Sequence, residues 1–537
     1  MSRYNLIDEK WIPVRFPDGS RDELGIRDAL LRAKEIAAIE DPSPLVVAAL
    51  HRFLLAVLYR ALEGPTDIDQ AKDLFKEGLP SEKIMAYLEK WRDRFWLFDE
   101  KYPFWQVPSF EPKKWRAWSA LAVEYNADTA KVLFDHTNEA EPGSISPPEA
   151  ARWLLATQTF AVSTGKSEIA HTGTAPSAGS MMAIPIGLNL MDTLLFCLVP
   201  QNRMVMQADI PLWEKEPETL EYLKTKIKVP NKKAGGDKDR TVERGATGIV
   251  DQYTWRTRSV VFKESLSGLI SELGLASGVG YKESVDCDPM LGYTIKEITD
   301  EETKSKVKKK FSVQFEEKGV WRDFDSLLPD DARLAPKVIE HAVVLTKKDR
   351  NRFPRGVMVL GQRYFPPRPN IAFWRKEYFA LPEAISGDRN IRYEIHDLLV
   401  DAENTASELR SALWNFCRFI LVRGQRETKL RKEEKIQISK MADAAGPMHI
   451  YWSTLESRFH EILREYTLER DSEDIRCQWL KSVRNTLAAA WDQHRASAST
   501  GDAWAIRALV KSEGPVLRKL KELNDKIEEL EPQKEDS

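Results

Sequence analysis

Four short stretches of this chain gather residue types that can do chemistry. Residues 134–139 read FDHTNE, a histidine set between carboxylates, which is donor chemistry for a divalent metal. The donors crowd into one loop bounded by Pro and Gly, whereas a metal cage draws on more than one cluster. His171 and His341 stand outside any HxH or HxxxH spacing. The same loop suits binding: the Phe134 ring can stack on a base or fill a protein pocket while Asp135, His136 and Asn138 reach base edges. Residues 162–179, VSTGKSEIAHTGTAPSAG, hold Gly165, Gly173 and Gly179, which let backbone lie close to another polymer, and Lys166 adds charge beside amides that can donate to phosphates. Residues 274–284, GLASGVGYKES, set Gly278 and Gly280 around a turn that presents Tyr281 and Lys282. A cation there can reach the N3 and O2 acceptors of a minor groove, and an exposed turn lysine with no task fits the same spacing. Residues 357–382 run from an apolar strand into Phe365-Pro366-Pro367-Arg368-Pro369-Asn370. Stiff prolines beside an aromatic can wedge a base step while Arg368 holds a phosphate; a rigid interdomain linker has the same composition.

Other chemistries leave no trace in the sequence. It contains no Walker A loop, no dinucleotide fingerprint and no GxSxG elbow. Cys197, Cys287, Cys417 and Cys477 form no CxxC pair, which argues against a zinc ribbon or a secreted disulfide scaffold and for free thiols in a reducing cytoplasm. The first residues, MSRYNLIDEKW, lack a signal peptide's apolar run, and no stretch approaches the ~18 apolar residues of a membrane helix. The expectation is a cytoplasmic protein without membrane contact. A net charge of −3 means that any nucleic-acid-binding surface must be local.

The elements that must position these loops can be read from periodicity. A length of 537 residues, 42% apolar with 16 tryptophans, fits several domains with a large core. Trp11, Ile12, Val14 and Phe16 form a strand ending in a Pro-Asp-Gly turn, with a second strand or short helix through Leu24 and Ile26. Ser43 and Pro44 open a helix whose apolar residues recur at helical spacing to Ala61. Residues 83–98 read as an aromatic-rich helix, and 149–160 as another. The basic runs at 224–244 and 301–310 read as solvated loops, positive enough to touch phosphate. From about residue 387 strands are absent. A long helix over 392–422 and three more over 450–466, 475–494 and 503–523 make a bundle. The fold class expected is mixed α+β: a large α/β N-terminal domain over 1–380, then a C-terminal antiparallel four-helix bundle over 381–537.

The word order of residues 5–62, the FDH loop, the Gly–Lys turn with DPMLGY after it, and the loop before the bundle together resemble the CasA family. CasA is the large subunit of Cascade, the type I-E CRISPR surveillance complex of antiviral defence. The resemblance implies a non-enzymatic recognition subunit with no cofactor, no metal and no catalytic residue. By that resemblance Phe134, Asp135, His136 and Asn138 dock on the 5′ end of the guide RNA and the neighbouring backbone subunit. A glycine loop holding Gly165, Lys166 and Gly173 enters the minor groove of the protospacer-adjacent motif (PAM), and Lys282, after Gly280, is a lysine finger. Relatives carry a glutamine in the strand-separating wedge; here Phe365, Arg368 and Asn370 stand at the matching positions, with Gln362 a few residues earlier. The implied partners are target double-stranded DNA, guide RNA, the CasB small-subunit dimer, CasC, CasD and a recruited helicase–nuclease. A metal-dependent hydrolase and a purely structural scaffold are the rival expectations.

Overall fold

The computed structural model describes residues 4–531 apart from 123, 125–142, 164, 167, 170, 231–236, 242, 265–267, 283–287, 300–304, 329–332, 366–370, 387, 389, 423–429 and 499–501. The chain divides into two compact units, 1–317 with 326–378, and 318–325 with 379–537.

The first unit is built round one helix, Pro44–Leu62. The Ser43 hydroxyl accepts from the Val46 amide at 3.3 Å, Pro44 occupies the first turn, and Glu63, at φ +49°, ends the helix in the left-handed region. The helix is buried on nearly every face. Contrary to expectation, it is long and apolar enough to cross a membrane, the only such helix among the described residues. Its burial inside the unit and its paired Arg52 make it a core helix here.

Small antiparallel sheets surround that helix. Ile12–Arg15 pairs with Arg21–Leu24 and Ala38–Ile39. The strand Arg258–Glu264 pairs with Ile270–Ser277, which also pairs with Arg116–Ala117. Met181–Ile186 pairs with Gly356–Tyr364, itself beside Ile371–Phe379. The aromatic stretch before residue 98 is only partly helical. The helix Ser81–Lys90 stops before Trp91, and Phe95 turns inward instead to pack against Phe53, Phe104 and Trp213 at 5.3–6.5 Å between ring centroids. Burial of large rings outweighs continuation of the helix.

The described parts of both basic runs contribute strands to antiparallel ribbons, where loops were expected. Lys226–Pro230 pairs with Asp237–Thr241, and Tyr293–Thr299 with Lys306–Ser312. Ile227 and Val229 in one, and Val307 and Phe311 in the other, fall on one side of a two-residue period that the lysines between them mask.

The second unit is a helix bundle. Ile391–Leu421 is its longest helix, joined by Gly446–Glu465 and Ser472–Ser497. Lys432–Asp443 is an additional helix, and the last expected helix is broken at Gly514-Pro515 into Ala503–Ser512 and Gly514–Leu530. The Trp479 indole donates to the Leu398 carbonyl and the Tyr451 hydroxyl to the Ala402 carbonyl, which fixes two helices against the long one. The excursion 318–325 belongs to this unit: Trp321 and Phe324 lie 5.4 and 5.7 Å from Phe459, and Arg322 clamps Glu403 while stacking 3.6 Å over Trp452.

Candidate nucleic-acid interface

The Gly–Lys stretch is placed by backbone, not by a free turn. Neither Gly278 nor Gly280 has a positive φ. Gly278 is instead a close-approach residue, because a Cβ there would lie 2.3 Å from the Arg256 carbonyl oxygen. Gly280–Tyr281 then pairs in parallel with Glu243–Arg244, and the Lys282 amide donates to the Arg244 carbonyl at 2.8 Å. The Lys282 side chain is exposed.

Behind this tip sits a stack of rings and charges. Tyr281 meets Trp255 edge-on at 5.1 Å, and the Trp255 indole donates to the Val279 carbonyl. The Arg244 guanidinium lies 4.1 Å over Trp255 and grips Asp251 at 2.5 and 3.1 Å. The Lys215 ammonium reaches the same carboxylate at 2.6 Å. Burial works to raise the Asp251 pKa, but its two cations win and hold it below the usual carboxylate range. The backbone that carries Lys282 is therefore tethered to a rigid base in which two cations share one carboxylate.

The glycine-rich loop reaches the same place from a different part of the chain. Gly165–Lys166 pairs with His171–Thr172 as a short backbone hairpin. Ile169 enters the core cluster that contains Trp255, Ala276 and Val279, with Tyr281 packed against it. The buried Arg258 guanidinium donates to the Gly173 carbonyl at 2.8 Å and the Val162 carbonyl at 2.6 Å, so it spans the base of the loop. Burial lowers the Arg258 pKa to about 10. A Cβ on Gly173 would come within 3.9 Å of the Gly280 Cα. Two of the glycines singled out from sequence, about a hundred residues apart, are thus neighbours. Gly179, at φ +76°, faces the Tyr364 ring, which a Cβ would meet at 2.7 Å, so this loop also packs on the strand leading to Phe365.

A buried ion pair anchors the chain on either side. The Asp288 carboxylate, with which DPMLGY begins, accepts from Arg52 at 2.6 Å, from the Tyr253 hydroxyl at 3.0 Å and from the Met290 amide at 2.9 Å. Arg52 also donates to Ser177 of the glycine-rich loop and stacks 4.2 Å over Tyr253. The sequence does not single out Arg52, Arg258 or Trp255, and marks Arg244 only as the end of a basic run. No local pattern links them, and only the fold assembles them.

The remaining candidates are placed as follows. Phe365 is 44% exposed at the end of its strand, with Arg363 5.4 Å over its ring. Gln362 is wholly buried and donates to the Phe160 carbonyl at 2.6 Å, which takes it out of contention as a wedge. Arg368 and Asn370 lie outside the described residues, as do Phe134, Asp135, His136 and Asn138 and the side chains of Lys166 and His171. His341 is buried, with Nδ1 against the Phe196 carbonyl, and burial lowers its pKa. Among the described residues no group of His, Cys, Asp or Glu is arranged to hold a metal ion. The described cysteines 197, 417 and 477 are free and buried.

Comparison with known proteins identifies the class. The family described as CRISPR-associated protein Cse1 matches residues 5–490. The CRISPR-associated protein CasA/Cse1 of Thermus thermophilus is 31% identical, over 98% of this chain and 99% of that one. The chain belongs to the Cse1 (CasA) family. The crystal structure of Thermus thermophilus CasA superposes with a TM-score of 0.79 at 29% identity, covering 97% of this chain and all of that one. A chain of a solved CRISPR RNA-guided surveillance complex shares the fold, with a TM-score of 0.63 at 17% identity over 96% of this chain and 99% of that one.

Proposed function

We propose that this chain is the large subunit of an RNA-guided Cascade surveillance complex and tests duplex DNA for a short flanking motif from the minor groove. One observation carries the reading: the 162–179 loop and the 278–282 segment converge at Gly173 and Gly280, beside an exposed lysine on a backbone-fixed tip. Paired glycines leave room for a sugar–phosphate edge, and a lysine reaches groove acceptors without distinguishing A·T from T·A, so such a site tolerates several motifs. In this reading Lys282 is the probing cation, and Gly165, Lys166, Gly173 and Gly280 shape the close approach. Phe365 with Arg368 and Asn370 opens the first base step, and Phe134, Asp135, His136 and Asn138 dock the guide's 5′ end.

Pairing with the guide RNA then reads the sequence, as in other RNA-guided systems. CasB, CasC and CasD are the neighbours, a helicase–nuclease recruited after strand displacement cuts the DNA, and the assembly works in the cytoplasm. The chain itself breaks no bond and requires no cofactor.

The test is a binding screen against a randomised flanking motif, using the assembled complex with wild-type chain or Lys282→Ala. Loss of a charged hydrogen bond predicts ~10- to 150-fold weaker binding to preferred motifs, with assembly intact and discrimination flattened. Unchanged discrimination would sink the motif-reading role and leave the scaffold reading standing.

A further inference from the structure

Glu168 lies between the paired strands Gly165–Lys166 and His171–Thr172 of the glycine-rich hairpin. One of its oxygens accepts from the Lys113 amide at 2.8 Å and the other from the Lys114 amide at 3.4 Å. Successive backbone amides that converge on one anion form a concavity suited to phosphate. The chain fixes this turn beside the motif-reading tip. Phe110, three residues before Lys113, shares a core cluster with Ile169 and Val279. Pro112 packs so closely on Gly274 that a Cβ there would meet its Cγ at 2.8 Å. Arg116–Ala117 then pairs with the strand that leads to Gly278 and Lys282. The Lys113 and Lys114 side chains are exposed, and neither ammonium group has an ion pair or hydrogen bond among the described residues. Two amides and two free cations thus surround a single, solvent-exposed carboxylate.

We propose that the Lys113–Lys114 turn is a binding site for a backbone phosphate of duplex DNA, and that Glu168 occupies it as a placeholder until the duplex arrives. A phosphate oxygen takes over the two amides, the ammonium groups engage the same or the next phosphate, and the displaced carboxylate returns to water. Little opposes the exchange, because contacts of an exposed carboxylate are weak while the phosphate brings charge for both lysines. Displacement also frees the turn of the hairpin, so the glycine-rich loop is held in place without DNA and released toward the groove with it. The proposal rests on the duplex-reading function above and adds to it a backbone contact and a latch.

The test measures binding of the assembled complex to a DNA duplex without a preferred motif, over a series of salt concentrations, with Tm of the free chain as a control for folding. The double variant Lys113→Ser/Lys114→Ser should reduce the slope of log affinity against log salt by about 1.8. Glu168→Gln and Glu168→Ala remove the competing charge and should tighten motif-free binding ~1.5- to 5-fold at low salt. A carboxylate that only pins the loop predicts the opposite sign, weaker binding for Glu168→Ala. Weaker or unchanged binding by both Glu168 variants would overturn the proposal. So would an unchanged salt slope in the lysine variant, or its failure to assemble with guide RNA, which would assign the lysines to another partner. These measurements read affinity without a motif, so they can succeed where the Lys282→Ala screen fails, and the reverse. A wild-type complex that held no duplex at all would overturn both.

Discussion

Arg52→Met isolates the ion pair that ties the core helix to both candidate loops. Arg52 and Asp288 are 2.6 Å apart, with side chains 2% and 0% exposed. Removing the guanidinium leaves the carboxylate with the Tyr253 hydroxyl and the Met290 amide as its shortest contacts, in a site that water does not reach. Breaking a buried pair from one side costs about 3–5 kcal/mol, whereas replacing both partners with apolar groups is often close to neutral. For a unit of about 370 residues, an unfolding entropy of roughly 2 cal/mol/K per residue turns 4 kcal/mol into a fall in Tm of about 5 °C. Differential scanning calorimetry of the free chain should show that shift in the transition of the first unit. The double variant Arg52→Met/Asp288→Leu should recover most of it. Recovery also has a functional side: Ser177 loses its Arg52 donor in both variants, so motif discrimination should stay impaired after stability returns. If Arg52→Met left Tm unchanged, or if the double variant were as unstable as the sum of its single changes, the account of this pair would be wrong.

Other perturbations test other parts of the structure. Burial and nearby Asp41 raise the Glu124 pKa to about 7 although the Ser43 hydroxyl donates to it. Stability from this group is complete below about pH 4.5 and is lost as pH rises through 7, by about 3 kcal/mol; Glu124→Gln should flatten that window in pH-dependent melts and raise Tm at pH 8, and an unchanged pH profile would refute it. Gly278→Ala should destabilise by about 2 kcal/mol or more because a Cβ there meets backbone at 2.3 Å, whereas Gly173→Ala, with nothing closer than 3.9 Å, should keep wild-type Tm and affect only DNA binding. Gln362→Leu should cost about 1–2 kcal/mol through the orphaned Phe160 carbonyl and leave strand separation in the assembled complex intact; a specific loss of strand opening would restore Gln362 as the wedge.

Much of the framework could be read from local signals. The Ser43–Pro44 start of the core helix, the strands around the Pro-Asp-Gly turn and the long helix of the bundle all carry caps, turn residues or periodicity that act over a few residues. The ribbons were missed because lysines at consecutive positions hide an alternation that only strand pairing reveals. The helix over 83–98 was drawn too long because its aromatic residues satisfy helical spacing but pay more by burying in a non-helical turn. At the candidate site, Gly173, Gly280 and Lys282 could be picked out one loop at a time, but their meeting could not. Arg258, which bridges the base of one loop, was invisible because a buried arginine bonded only to carbonyls leaves no acidic partner in the sequence to look for.

The excursion of residues 318–325 into the helical unit makes this chain hard to divide. The polypeptide passes between its units three times, after residues 317, 325 and 378, so a single nick near residue 378 frees residues 379–537 but leaves eight residues of the same unit, 318–325, on the other fragment. A gene fragment starting at residue 379 would encode a bundle with an unfilled slot where Trp321 and Phe324 belong, its apolar lining open to solvent. Modular swapping of this region between homologues would therefore have to carry a second, eight-residue patch from far upstream, which favours inheritance of the two halves as one block.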